Sequence, residues 1–192
     1  FDVHSLAGDV VENVRSLGLE PVSLVGHSTG GIIGAVAMAQ APDLFQRAVL
    51  LDPVAATGIQ FGPEMYAAFE AMSRDENLCA TVILSTMHDA RLPDEYRKRI
   101  AAAAYGVHPR LWRGVPDMLN TLDVRELLRS VKAPTLVLHG EHDTLLPMAG
   151  SEELARLIPG AGFHRIPGRG HCTNVEDPAL FVELTSQHLF GH

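Results

Sequence analysis

The 192-residue chain is 46% hydrophobic and 20% charged, a composition that supplies one ordinary core and argues against disorder. A formal net charge of -8 argues against a nucleic-acid partner, which requires a basic face to neutralise phosphates. No apolar run approaches the ~18–20 residues of a bilayer span, so a chain without a membrane span, in the cytoplasm, is expected. Arg97, Lys98 and Arg99 form the one short basic run, which reads as a solvated helix face. The two cysteines, Cys79 and Cys172, make no metal-ligand pattern, and no disulfide is expected between them.

In chain order, Leu6, Val10, Val14 and Leu17 recur at helical spacing, and Gly18 stops that helix. Pro21 to Val25 reads as a buried strand, Gly26 to Gly31 as a turn, and Ile32 to Gln40 as a helix ending near Pro42. Ala48 to Leu51 is a second buried strand, closed by Asp52 and Pro53. Residues 55–130 then change character. Met65, Phe69 and Met72 form one helical stripe, and Leu78, Val82 and the run Leu84 to Met87 form a second. Pro93 to Tyr105 is a third helix, and Leu111 to Ser130 holds one or two more.

The strand–helix rhythm resumes with Thr135 to Leu138. A helix opening at Ser151 follows, with Leu154, Leu157 and Ile158 as its buried positions and Gly160 as its stop. Gly162 to Ile166 is the last strand. Asp177 and Pro178 cap a final helix whose face carries Phe181, Leu184 and His188. Continuous apolar strands separated by helices predict an α/β fold, a mostly parallel sheet with helices on both faces. The expected division is a core of residues 1–54 and 131–192 with a helical cap or lid over residues 55–130.

Gly26-His27-Ser28-Thr29-Gly30 fits G-x-S-x-G between an apolar strand and a helix. Such a turn lifts the serine hydroxyl above the strand end in a strained backbone conformation. Glycine is expected at both flanking positions because side chains there would collide with neighbouring backbone. Ser28 is the candidate nucleophile, and the Thr29 N–H, at a helix N-terminus, is the candidate oxyanion donor.

The run Val22 to Gly31 resembles the nucleophile elbow of the α/β-hydrolase family. His27 and Thr29 are similar to the choices of its esterases, lactonases and cofactor-free haloperoxidases or perhydrolases. Serine rather than aspartate at position 28 disfavours the haloalkane dehalogenases and epoxide hydrolases. The resemblance implies the chain order serine, acid, histidine. Leu136 to Asp143 resembles the acid-bearing loop, with Asp143 in the matching position. Asp52 is the rival, since some relatives carry the acid there, and turn chemistry explains it equally well. Pro167 to His171 resembles the loop of the catalytic histidine, with His171 matching and Gly168 and Gly170 leaving room for the imidazole. His27 lines or supports the site, while His139 and His142 flank the acid loop without a ligand partner at metal spacing, so neither a metal nor a cofactor is expected.

The four strands correspond to the later part of the family's sheet. The resemblance therefore implies a longer functional protein, an exposed apolar edge at Val22 to Val25, and a second oxyanion donor supplied from upstream. The implied activity is acyl-enzyme hydrolysis of a small to medium, largely apolar ester or lactone, with Met65, Phe69 and Trp112 as candidate substrate contacts. Perhydrolase, carbon–carbon hydrolase and non-catalytic ligand-binding readings share these residues.

Overall fold

The computed structural model describes residues 1–88 and 90–191. Its centre is a four-stranded sheet of β1 (Val22–His27), β2 (Phe45–Leu51), β3 (Thr135–Gly140) and β4 (Gly162–Ile166), all parallel and in spatial order β1-β2-β3-β4. Ten α-helices accompany it among the described residues: α1 (Val3–Leu17), α2 (Thr29–Gln40), α3 (Pro63–Met72), α4 (Glu76–Ser85), α5 (Asp94–Tyr105), α6 (Leu111–Asn120), α7 (Arg125–Leu128), α8 (Met148–Leu157), α9 (Thr173–Glu176) and α10 (Pro178–Phe190). None is long and apolar enough to cross a membrane.

Alternation along β2 shows why its sequence is continuously apolar. Ala48 and Leu50 face a large core shared with α1, α2 and α8, through Ala7, Val11, Ile32, Val36 and Leu154. Val49 and Leu51 face the other way, onto Leu138, Ile166 and the Leu180, Phe181 and Leu184 stripe of α10. Both faces are covered, as the apolar runs predict. Full burial of each such leucine contributes about 1.5–3 kcal/mol.

Local signals set the helix ends. Asp2 accepts from the His4 and Ser5 amides and opens α1, and Gly18 closes it at φ 61. Asp177 accepts from the Leu180 amide at the start of α10. Three expectations shift. The helix after the elbow starts at Thr29 rather than Ile32. Helix α8 starts at Met148, which puts Ser151 inside the helix, fully buried, instead of at its cap. Leu17 is 67% exposed, because the side of α1 turned to the core carries Val3, Ala7 and Val11.

Strand β1 lies at the sheet edge, and Val25 on it is 49% exposed. Helices α3 to α7 all lie between β2 and β3, with no strand among the described residues of that block. Leu78 and Val82, read as a buried stripe of α4, are 38% and 37% exposed; Cys79 is the buried side chain of that helix. Met65 on α3 is likewise exposed, and Met72 takes the buried position. Cys79 and Cys172 are both free and buried.

Candidate active site

Parallel strands bring their carboxyl ends to one rim, the usual place for sites on open parallel sheets. Each strand delivers one polar residue just beyond its end: Ser28 after β1, Asp52 after β2, Asp143 after β3 and His171 after β4.

Ser28 holds φ 55 and ψ -125, a conformation that side chains rarely adopt. Hydrogen bonds at three points fix it there. Its amide donates to Leu51 O at 3.0 Å, and its carbonyl accepts from Gly31 N at 2.9 Å and Val54 N at 3.2 Å. A Cβ at Gly26 would sit 2.8 Å from both Gly30 O and Gly31 Cα, so glycine is required there. The expectation for Gly30 is overturned, since a Cβ at that position meets nothing within 4 Å. The second crowded glycine is Gly31, whose Cβ would lie 2.9 Å from Pro53 Cβ. Helix α2 begins at Thr29, so that amide belongs to the first turn, where intrahelical acceptors are lacking.

His171 Nδ1 lies 2.7 Å from Asp143 Oδ2, and both side chains are withdrawn from solvent. The other oxygen, Oδ1, accepts from the amides of Leu145 at 2.7 Å and Leu146 at 3.0 Å. Burial works to raise the Asp143 pKa, but the hydrogen bond and charge of His171, with the two amides, outweigh it and hold the carboxyl below its ordinary 3.8. Glycine again permits close approach: a Cβ at Gly140 would lie 2.7 Å from Arg169 O. Next to the serine, His27 Nε2 donates to the His171 carbonyl at 2.8 Å, and the two rings stand 4.7 Å apart. Burial, then the nearby His171, pushes His27 toward its neutral form. Among the described residues no hydrogen bond joins the Ser28 hydroxyl to His171, a link often left open in unliganded sites.

Two supporting groups escape the sequence reading. Glu176 accepts from Gly170 N at 2.6 Å and from Cys172 N at 3.1 Å, so one carboxylate pins the backbone on both sides of His171. Its sequence signal is only an acid a few residues after the histidine. The second group is the buried set of Asp52, His139 and Ser151. His139 Nδ1 lies 2.8 Å from Ser151 Oγ and 3.3 Å from Asp52 Oδ1. His139 looks like a loop histidine in sequence, yet it closes β3 and is 1% exposed.

Donor atoms of His27, Asp52 and His171, and of Asp52, His139 and Asp143, cluster within 4.8 Å. The imidazoles in both groups are engaged in hydrogen bonds with protein partners. Trp112 lines a groove of about 510 Å³ between α3 and α6, with Tyr66, Pro109 and Arg113. Phe69 packs edge-on against Phe61 at 5.3 Å and Tyr66 at 6.4 Å. Neither Ser28 nor His171 is in the lining of that groove. The end of α4 does reach the site, since Thr86 O accepts from His171 N at 3.3 Å.

A model of the alpha/beta hydrolase family matches residues 1–184. The chain belongs to that family. It is 27% identical to the carboxylesterase YbfK of Bacillus subtilis, over 92% of this chain and 60% of that one. It is 26% identical to the 2-hydroxymuconate semialdehyde hydrolase of Pseudomonas putida, over 91% and 64%. Among solved structures, an N-acyl homoserine lactone degrading enzyme superposes with TM-score 0.81 at 25% identity, covering 98% of this chain and 75% of that one. The chain thus spans less than two thirds of the length of the two curated relatives. Membership and fold agree with the resemblance read from the elbow.

Proposed function

We propose that this α/β-hydrolase is a serine hydrolase that cleaves a small to medium, largely apolar ester or lactone through an acyl-enzyme intermediate. The reading rests chiefly on the pair of His171 Nδ1 and Asp143 Oδ2, 2.7 Å apart and buried, at the rim that carries Ser28 on its strained turn. The hydrogen bond to Asp143 fixes the proton on Nδ1 and leaves Nε2 as the base. His171 takes the Ser28 proton as Oγ attacks the carbonyl, an assistance worth about 10²–10⁴ in rate. The Thr29 N–H meets the developing oxyanion, and one such donor contributes about 2.7–4 kcal/mol. His171 then protonates the leaving alcohol and afterwards deprotonates the water that releases the acid.

Residues 55–130, with helices α3 to α7, are read as a cap over the strand ends. Met65, Phe69 and Trp112 are the proposed apolar contacts for the substrate, to which the cap would have to bring them. The activities of those relatives, on carboxylic esters and on an N-acyl homoserine lactone, favour the ester or lactone class. A fluorophosphonate probe and a panel of esters and lactones test the reading, with Ser28→Ala as control. Labelling of Ser28 and serine-dependent turnover are expected. Hydrolysis that survives in Ser28→Ala would end it.

A further inference from the structure

The mechanism leaves one buried carboxyl group without a task. Asp52, at the end of β2, is 0% exposed and sits at φ 41. Its Oδ1 accepts from Gly140 N at 2.8 Å and lies 3.3 Å from His139 Nδ1. Its Oδ2 is buried with no hydrogen-bond partner. The titratable groups that face it are Asp143 and His139 from β3 and its loop, His27 from the end of β1, and His171, Cys172 and Glu176 from the segment after β4. Among the described residues neither Lys nor Arg pairs with it. Of the imidazoles beside it, His27 and His139 are pushed toward their neutral forms by burial.

Two neighbouring carboxyl groups without a dedicated cation do not both ionise; the better-solvated one keeps the charge. Asp143 receives three N–H donors, from His171, Leu145 and Leu146, whereas Asp52 receives the Gly140 amide and keeps a bare oxygen. Building on the serine-hydrolase reading of this site, we propose that Asp52 is a positioning residue: a carboxylic acid that stays neutral in the working enzyme and leaves Asp143 the single negative charge behind His171. Through Gly140 N it also ties the end of β3, from which the Asp143 loop departs, to the end of β2. Burial, reinforced by Asp143 and Glu176 and only partly opposed by the Gly140 amide, carries Asp52 up to about 8. Above that pH a second charge enters the base's surroundings.

Asp52→Asn in this chain keeps the neutral shape and removes the titration. In the variant, the acidic limb of the kcat/KM profile keeps its wild-type midpoint. An ionised Asp52 predicts instead that losing a charge so close to His171 moves this limb to lower pH by about one unit or more, and that result overturns the proposal. Stability gives a readout independent of turnover. The folded value lies above the unfolded 3.8, so the contribution of Asp52 is most favourable below that pH and is lost as pH rises to about 8. The wild type weakens across this window relative to Asp52→Asn; identical pH dependence of the two refutes the neutral acid. Should the variant fold poorly, carboxyl ¹³C NMR of the wild type decides. One aspartate resonance titrating near pH 8 is expected, and resonances confined to the ordinary carboxylate range overturn the proposal. A chain without serine-dependent turnover would defeat the hydrolase reading and leave the stability and NMR outcomes standing.

Discussion

Replacing Ser28 by glycine and, separately, by alanine divides the chemistry of the elbow from its strain. At φ 55 and ψ -125 a residue with a Cβ is disfavoured, at about 1–3 kcal/mol for a backbone held in so sparsely populated a region. Ser28→Gly relieves that strain but returns about 0.5–1 kcal/mol of extra chain entropy to the unfolded state. The net is a gain of about 1 kcal/mol, and in a domain of roughly 150–250 residues each 1 kcal/mol moves Tm by about 2–4 °C. Ser28→Ala keeps the Cβ and therefore the strain. Both variants lose the hydroxyl, and both lose turnover on the proposed mechanism. Reversible thermal unfolding followed by circular dichroism, run side by side, gives the difference in Tm between them. The glycine variant is expected to melt higher; a glycine variant melting at or below the alanine variant would refute the claim that strain is stored at the nucleophile.

Asp143→Asn should lower kcat by about ten-thousandfold by losing control of the imidazole tautomer, measured on whichever ester or lactone proves a substrate. Because the Asp143 carboxyl is held below its ordinary 3.8, the stability it lends is present above that pH and lost as pH falls below it. The acid limb of a denaturant-midpoint series should therefore flatten in the same variant. Gly26→Ala forces a Cβ onto the backbone of Gly30 and Gly31 and should destabilise by about 1–3 kcal/mol. Gly30→Ala, with open space around its Cβ in helix α2, should stabilise by about 0.5–1 kcal/mol, and urea melts of the two variants compare them.

The layered sheet was legible in the sequence because β2 and β3 are buried on both faces and so carry unbroken apolar runs. Caps were legible where one side chain sets them, as Asp177 does for α10. Periodicity failed where helices pack on one another beside solvent. In α4 the small Cys79 takes the buried position, and the larger Leu78 and Val82 stay near the surface, reversing what size and hydrophobicity suggest. The family resemblance implied Asp143, with Asp52 as its rival, and His171 as partners, and the structure holds Asp143 and His171 at 2.7 Å. Spacing alone misassigned the glycine requirement of the elbow, because the constraint on Gly31 comes from Pro53, on a different strand end.

The choice between Asp52 and Asp143 shows where sequence reading runs out. Both follow apolar strands, both sit in turn-forming surroundings, and both lie near the imidazole in space. What separates them is the number of N–H donors each receives, and those donors come from backbone amides and from a residue far along the chain. Backbone amides carry no sequence signal, since every residue but proline has one. A carboxyl group's charge state is therefore set by the fold around it. Here the same rim holds one aspartate solvated by three donors and another left with a bare oxygen, and that difference makes the first fit to stabilise an imidazolium and the second fit to remain neutral beside it.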